Sequence, residues 1–451
     1  MATNPVPNPN TPKGGSPNDK ADVPSSFEVM RLECVNQNGK VFDIFPIVTS
    51  FTLTEELFSP ILVMNLRVRD TLNFFEDFML SGEEVINVEL QHITAGSKLK
   101  RVKLSLNVKE YPNYQKSAAE PNVQEYNIVA VSKFGYSSML QRISRSTKGN
   151  PIANIESILK NDLGVKAKRT GLCVSSFDGI ITIQTPLKAI EWLRSKSFDV
   201  TGSPFFVYSS ISEPDVLITP LSDLWSKSNK SYRKYEYRQF IANASKSVDA
   251  YNENALRILD MKSNIKMDKL NQAVNGGFAS RTNVTDLATK SYAERIFDVT
   301  KDNKTARLNP DKNLFSSFKN MLSPTKGGGP KSFNEFTSAS ISNVSTNAGT
   351  NYQGNPNSTS GPVQDNISKA KSYYANFEAI SHQIVVYGDF DLNPGRRITI
   401  EIPKSVNQGD YAGASGDELD RSMSGDYIVA VVAHSFTNGV YTSKVKIIKD
   451  A

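Results

Sequence analysis

The chain has 451 residues, 39% of them apolar and 22% charged, a composition that suits roughly two to four folding units and excludes a collagenous or wholly disordered protein. Fifty-two basic against 46 acidic side chains leave a formal charge of +6, too mild and too dispersed along the sequence to indicate nucleic acid as a standing ligand. Cys34 and Cys173 are too few for a disulfide framework or a four-ligand zinc site, no apolar run approaches a membrane span, and the opening residues lack the apolar core of a signal peptide, so the expectation is a protein made and kept in a cytoplasm.

Residues 1–26 are rich in Pro, Asn, Gly and Ser and offer almost nothing to bury, so they are expected as a disordered or partner-bound arm. Alternation begins at Phe27 in "FEVMRLECV", and Asn38-Gly39 supplies the positive φ angles of a tight hairpin. "VFDIFPIVTSFTLT" and "ILVMNLRVRD" continue as antiparallel strands, with Leu62, Met64, Leu66 and Val68 on one face. In "DTLNFFEDFMLSG" the period changes, and Leu72, Phe75 and Met79 predict a short helix capped by Asp70 or Thr71. "EEVINVEL", "RVKLSLNVKEY" and "QEYNIVAVS" return to strand. The expectation is a small barrel or sandwich strapped by one helix.

Asn150-Pro151 and Thr185-Pro186 are cap-and-first-turn signals for two helices. The first carries Ile152, Ile155, Ile158, Leu159 and Leu163 and is closed by Gly164; the second faces Leu187, Ile190 and Leu193 inward with Trp192 alongside. "PFFVYSS" and "DVLITPL" read as a hairpin. "GFASRTNVTDLATKSYAERIFDV" is expected as exposed strand, and "NLFSSFKNML" has brief helical spacing. Residues 323–366 are Ser, Asn, Thr and Gly rich and are expected as a low-complexity insertion or mobile loop. Strands resume from Ala375, in "NFEAISHQIVVYGDF", "RRITIEIP", "DYIVAVVAHSF" and "VYTSKVKIIKD". Asn438-Gly439 turns the last pair, and Asn393-Pro394-Gly395 is expected to hinge a hairpin whose register is set locally.

Chemistry is sparse. His92, His382 and His434 stand singly in strand-like contexts and are read as packed or rim residues, with no metal site. The pairs Glu55-Glu56, Glu76-Asp77 and Glu83-Glu84 could suggest paired acid and base, but adjacent strand residues point to opposite faces, so solvated or interface charges are expected. "SPTKGGGPKS" lacks the spacing of a phosphate-binding loop and reads as linker. The aromatic-basic run "YRKYEY", 232–237, could stack on bases or sugars, although packing along a strand or seam is the expectation. No catalytic, metal or cofactor-binding residue emerges, and no cofactor is expected.

The C-terminal pattern "VVYGDFDLNPGRRITIEIP", a polar insertion, then "SGDYIVAVVAHSFTNGVYTSKVKII" resembles the closing barrel of the baseplate hubs of T4-like contractile-tailed phages, and more distantly other phage tail hubs and the N-terminal part of type VI secretion spikes. The matching turn and strand positions are Gly388, Asn393, Pro394, Gly395, Gly425, Tyr427, Ile428, Val429, His434 and Tyr441, with Asn438 and Gly439 at the last turn. "TPLKAIEWLRSKSFDVTGSPFFVY" and "RVRDTLNFFEDFMLSGEEVINVEL" add weaker similarity, in the family's order. The resemblance implies an α+β, mainly β chain with two similar antiparallel β-barrel (tube) domains. The expected division is an arm (1–26), a first tube barrel (27–132), an α+β domain (133–223), a second tube domain with helical insert (224–322), the insertion (323–366) and the closing strands of the second barrel (367–451).

It further implies a homotrimer whose six barrels form a ring between the tail tube, or a tube-initiator protein, and a central spike. Baseplate wedge proteins are possible partners, DNA passes only in transit, and no stable membrane association is expected. The place implied is the virion tail baseplate, after assembly in the host cytoplasm. Two other readings stay open: a tail-associated peptidoglycan hydrolase, disfavoured by the want of a lysozyme-like helical domain, and a glycan-binding receptor protein, for which "YRKYEY" is the best feature.

Overall fold

The computed structural model describes residues 27–94, 98–116, 120, 122–226, 228–237, 255–265, 268–302, 332–346, 351–352, 363–377, 380–404, 419–420 and 423–449. The arm 1–26 and the helical spacing of "NLFSSFKNML" lie outside these residues. The protein is α+β and mainly β, with large antiparallel sheets.

The first half runs β1 (Phe27–Val35), β2 (Val41–Asp43), β3 (Val48–Glu56), β4 (Ser59–Asp70), α1 (Phe74–Asp77), β5 (Val85–Thr94), β6 (Lys98–Glu110), β7 (Gln115–Lys116) and β8 (Gln124–Ser132). In β1 the apolar positions change parity between Val29 and Leu32, and a β-bulge between Val29 and Arg31 absorbs the change, so both sets reach one core. Pro46 interrupts the run expected to be continuous: Phe45–Ile47 form a 3-10 turn between β2 and β3.

The helix expected over residues 70–82 is only Phe74–Asp77, little more than one turn, and therefore carries no stripe. Leu72 and Met79, expected inside, are 56% and 81% exposed, while Phe74 and Phe78 are buried. The buried Asp70 carboxylate sets this geometry by accepting from the backbone N–H of Leu72 at 2.9 Å and of Phe75 at 3.0 Å.

The middle contains α2 (Lys133–Leu140), β9 (Ile143–Thr147), α3 (Pro151–Asn161), β10 (Ala167–Arg169), β11 (Asp178–Gln184), α4 (Pro186–Arg194), β12 (Phe205–Ser210), β13 (Glu213–Pro220) and α5 (Leu221–Trp225). Asn150 caps α3 by accepting from the N–H of Ile152 and Ala153, and Thr185 caps α4 by accepting from Lys188. Gly164, at φ 67°, ends the turn after α3. Ile152, Ile155, Ile158 and Leu159 of α3 pack with Ala189, Ile190 and Leu193 of α4 in one core. Each large side chain buried there contributes about 1.5–3 kcal/mol of transfer free energy.

The second half comprises β14 (Lys234–Glu236), β15 (Ile258–Ile265), α6 (Lys269–Val274), β16 (Ala279–Asp286), β17 (Ser291–Asp298), α7 (Val299–Asp302), β18 (Ile341–Thr346), β19 (Asn351–Tyr352), α8 (Val363–Phe377), β20 (Ile380–Tyr387), β21 (Arg397–Glu401), β22 (Gly425–Thr437) and β23 (Val440–Lys449). Two expectations are corrected here. The polar segment 323–366 is not uniformly loop: β18 pairs in parallel with β16, and β19 pairs with β11. Residues 367–377, expected among the closing strands, belong to α8. Its inward face uses Ser372 and Asn376, which donate to the Gly277 carbonyl at 2.7 and 3.0 Å, so its polar residues are satisfied inside the fold.

Fourteen strands form a single sheet in the order β15-β20-β23-β22-β3-β4-β8-β6-β5-β1-β2, with β21 on β22, β14 on β21 and β7 on β8. Among the described residues this hydrogen-bonded path does not close on itself. In place of two separately closed barrels, β3 of the first half pairs with β22 of the second. Inward side chains of β1, β3, β4, β5, β6 and β8 share one core, and those of β14, β15, β20, β21, β22 and β23 share another.

Candidate functional site

The seam between the halves holds a buried chain of polar side chains. β3 and β22 run antiparallel from Ser50 opposite Thr437 to Glu56 opposite Val431. Alternation places Phe51, Leu53 and Glu55 inward on β3, and Val432, His434 and Phe436 inward on β22. Glu55 and His434 are both fully buried. The Glu55 carboxylate accepts from the Ile211 N–H at 2.8 Å and from His434 Nε2 at 3.3 Å. His434 Nδ1 is thereby left to accept from the Tyr441 hydroxyl at 2.7 Å. Burial pushes the Tyr441 hydroxyl well above the ordinary phenol range, so it stays a donor. First half, middle unit and second half thus meet in one hydrogen-bonded chain.

This arrangement corrects two sequence expectations. Glu55, expected as a solvated or interface charge, is buried, and so is Glu84, which accepts from Ser81 N at 2.6 Å, Gly82 N at 2.9 Å and Tyr111 Oη at 2.6 Å. In these two pairs one member faces the core, whereas Glu76 and Asp77 are both exposed. The parity signal was present: Glu55 continues the inward series Phe51 and Leu53, and His434 sits between inward Val432 and Phe436.

The segment from Gly388 to Pro403 is also not a hairpin. β20 pairs with β15 and β23, whereas β21 pairs with β14 and β22. The intervening loop is therefore a crossover past two strands. Within it, Asn393, Pro394, Gly395 and Arg396 form a type II turn, closed by Arg396 N donating to Asn393 O at 3.2 Å with Gly395 at φ 79°. The loop is buried and reaches several units. Phe390 enters the first core, Leu392 the second, and the Asn393 side-chain amide donates to Ser212 Oγ in the turn after β12. Asp391 pairs with Lys100 of β6 at 2.7 Å. Asp389 takes Arg233 Nε at 3.2 Å and the Tyr232 hydroxyl at 3.0 Å.

Glycine is required at both ends of this loop. A Cβ on Gly388 would lie 2.0–2.3 Å from the Tyr441 ring, and one on Gly395 would lie 2.6 Å from the Tyr208 hydroxyl. The remaining turn and strand positions are more local. Gly425 opens β22 at φ 128°, and Asn438 and Gly439, at 51° and 76°, make the exposed β22–β23 turn. Tyr427 is fully buried and its hydroxyl donates to Met423 O while receiving His382 Nε2 at 2.8 Å. His92 lies edge-on to Tyr441 at 5.0 Å.

The aromatic-basic run is divided, with Tyr235 buried and Lys234 and Tyr237 exposed. Tyr235 is fully buried in the second core. The Tyr232 ring lies between the guanidinium groups of Arg233 and Arg396 at 5.0 and 4.8 Å. Among the described residues no cluster of His, Cys, Asp and Glu has the arrangement of a metal site.

On the opposite face of the sheet a polar row crosses the seam, beside a row in which Ala433 and Val63 are apolar. One row runs through Thr442, Ser435, Thr52 and Asn65 on β23, β22, β3 and β4, each opposite the next in register. Neighbouring outward positions include Lys444, Thr54 and Arg67.

No protein-family model matches the chain, and comparison with curated proteins finds no relative. Among solved structures, the fold is similar to a tail protein from Neisseria meningitidis MC58 at 8% identity, covering 94% of this chain and 97% of that one, with a TM-score of 0.47. It is also similar to the 43 kDa tail protein of prophage MuSo2 from Shewanella oneidensis at 10% identity, covering 94% and 98%, with a TM-score of 0.48. An E. coli component of the type VI secretion system, described as structurally similar to T4 bacteriophage tail proteins, gives 9% identity, coverage of 94% and 77%, and a TM-score of 0.41.

Proposed function

We propose that the chain is a structural hub of a contractile phage tail. Three copies would form a ring in which each contributes two sheet halves, so that a threefold assembly presents six similar units to a sixfold tail tube above and a threefold spike below. The observation that carries this reading is the β3–β22 seam, which makes the two halves one sheet with a polar row crossing the join. Proteins that adapt symmetry need large fixed surfaces rather than a pocket. The buried Glu55–His434–Tyr441 chain and the crossover loop supply that fixity, because removing any member leaves buried polar groups unpaired.

In this assembly the polar face of β23, β22, β3 and β4 lines a central channel through which DNA passes, and the open sheet edges are covered by neighbouring copies. The division into a first tube unit over 27–132, a middle unit over 133–223 and a second tube unit interrupted by a polar insertion belongs to this proposal, as does the place in the virion. Neighbours in the baseplate would take the arm. The role is structural, not catalytic.

The test is the light-scattering mass of the purified chain, alone and mixed with its tail-tube and spike proteins, followed by imaging of assembled particles. Three copies around one axis, with the seam strands facing it, is the expected result. A particle in which the chain lies outside the tail axis, or in which its two halves do not line a common channel, overturns the proposal.

A further inference from the structure

The turn between β22 and β23 holds an Asn-Gly step, and asparagine followed by glycine carries a chemistry of its own. The glycine amide nitrogen can attack the asparagine side-chain carbonyl carbon, because no Cβ on the second residue crowds the approach. The sequence has three such steps, Asn38-Gly39, Asn275-Gly276 and Asn438-Gly439. The fold treats them differently. Gly39 N donates to the Asn36 carbonyl at 3.0 Å, and the Asn36 side chain also accepts from the N–H groups of Asn38 and Lys40. Gly276 N donates to the Ala273 carbonyl at 3.0 Å, and the Asn275 amide donates to Asn271 Oδ1 at 3.1 Å. At the third step Thr437, Asn438, Gly439 and Val440 are all exposed, and nothing lies within 4 Å of a Cβ built on Gly439. Among the described residues neither the Gly439 N–H nor the Asn438 side chain has a hydrogen-bond partner.

We infer that Asn438-Gly439 is a site of spontaneous modification, with water as its only co-reactant. Gly439 N bonds to Asn438 Cγ, the Cγ–Nδ2 bond breaks, and ammonia leaves with the proton that the glycine nitrogen gives up, closing a succinimide ring. Water then opens the ring. Addition at Asn438 Cγ restores the ordinary backbone, with aspartate in place of asparagine. Addition at the Asn438 backbone carbonyl carbon breaks its bond to Gly439 N and leaves the chain running through Cγ, as a β-linked aspartate. No electrons are transferred, and the new carboxyl group ionises to leave one added negative charge. In the β-linked product the turn is one backbone atom longer. The opposed pair Thr437 and Val440 then no longer matches the turn that sets its register. Tyr441, the next residue on β23, bonds to His434 at the seam, so a reaction that needs no enzyme alters the chain beside the join of the halves. This stands apart from the assembly proposed above.

The full chain is aged at mildly alkaline pH, in native buffer and separately in urea, then digested and read by mass spectrometry for replacement of amide by acid at each of the three steps. Cleavage by hydroxylamine, which attacks the succinimide, locates the ring intermediate independently. In urea the three steps are expected to convert at similar rates. In native buffer Asn438 is expected to lead Asn38 and Asn275 by roughly fivefold, the factor set by the one amide hydrogen bond that each of those must first break. Gly439→Ala is expected to abolish conversion at Asn438 and to leave the other two unchanged. Hydrogen exchange in the aged native chain is expected to quicken at residues 437–441. Asn38 or Asn275 matching or leading Asn438 in native buffer overturns the inference, as does a native Asn438 that stays intact while the urea sample converts. Undiminished conversion in Gly439→Ala overturns it too, and conversion without faster exchange overturns the loss of register.

Discussion

Two glycines show how differently one residue type can be constrained. At Gly388 the obstacle is space: an added Cβ falls within 2.0–2.3 Å of the Tyr441 ring, and Tyr441 is itself fixed by His434 and Phe436. Gly388→Ala is expected to lower stability by about 3 kcal/mol or more, read from the denaturant midpoint. At Gly439 the surroundings are open and only φ, at 76°, opposes a side chain, so Gly439→Ala should cost only about 1–2 kcal/mol. Comparable losses at the two would contradict the packing described. His382 makes a pH prediction of definite sign. Burial, and secondarily the charge of Lys449, pull its pKa down to about 4, against an unfolded value near 6.5. Between those values the unfolded chain binds the extra proton, so the His382 contribution is complete above pH ~6.5 and is lost as the pH falls toward ~4. His382→Leu removes that proton while the Tyr427 hydroxyl keeps its bond to Met423 O. The variant should show a shallower fall of stability across this window in denaturant titrations, and an unchanged slope would refute the assignment.

The crossover loop argues at the scale of elements. Phe390 belongs to the core of the first half and Leu392 to that of the second, so two residues on one short loop couple two cores. Phe390→Ala is expected to cost about 3–5 kcal/mol and, because the seam loses its wedge, to separate the unfolding of the halves into two steps by hydrogen exchange. A single unchanged cooperative transition would count against that coupling. The same loop marks where sequence reading stops. Its turn was legible, since Pro394 and Gly395 fix local dihedrals, but its partners were not: strand pairing is non-local, and adjacency in sequence led to a hairpin where β20 and β21 are kept apart by β23 and β22. Helices α3 and α4 were legible in full because caps, proline and apolar spacing are all local signals. Helix α8 was missed although Val363, Ala370, Tyr373 and Phe377 recur at helical spacing and are buried, because Ser372 and Asn376, which donate to the Gly277 carbonyl, dilute that stripe in a polar stretch. Glu55 was expected in solvent although its parity with Phe51 and Leu53 points inward, and only the facing strand could say that His434 waits there.

For the whole molecule, the decisive property is that a polar row, Thr442, Ser435, Thr52 and Asn65, crosses the join of the halves on the face turned away from the first core. Asn65 stands on that face, exposed, in the row that continues through Thr52 and Ser435. Its side chain packs against no core, so Asn65→Cys should change stability by less than about 0.5 kcal/mol. The native thiols interfere little: Cys34 is buried and its pKa is pushed up to about 12, and burial raises that of Cys173 as well, so neither offers much thiolate at neutral pH. In the isolated chain the introduced thiol should react with both a small maleimide and one carried on a large polymer. Inside an assembled tail, if this face lines a narrow channel, the small reagent should still react while the polymer-bound one is excluded. Loss of reaction with both would instead put Asn65 in a protein interface, and persistence of both would put it on the outer surface. Either outcome removes the polar face from the channel wall, and with it the reason for joining β3 to β22.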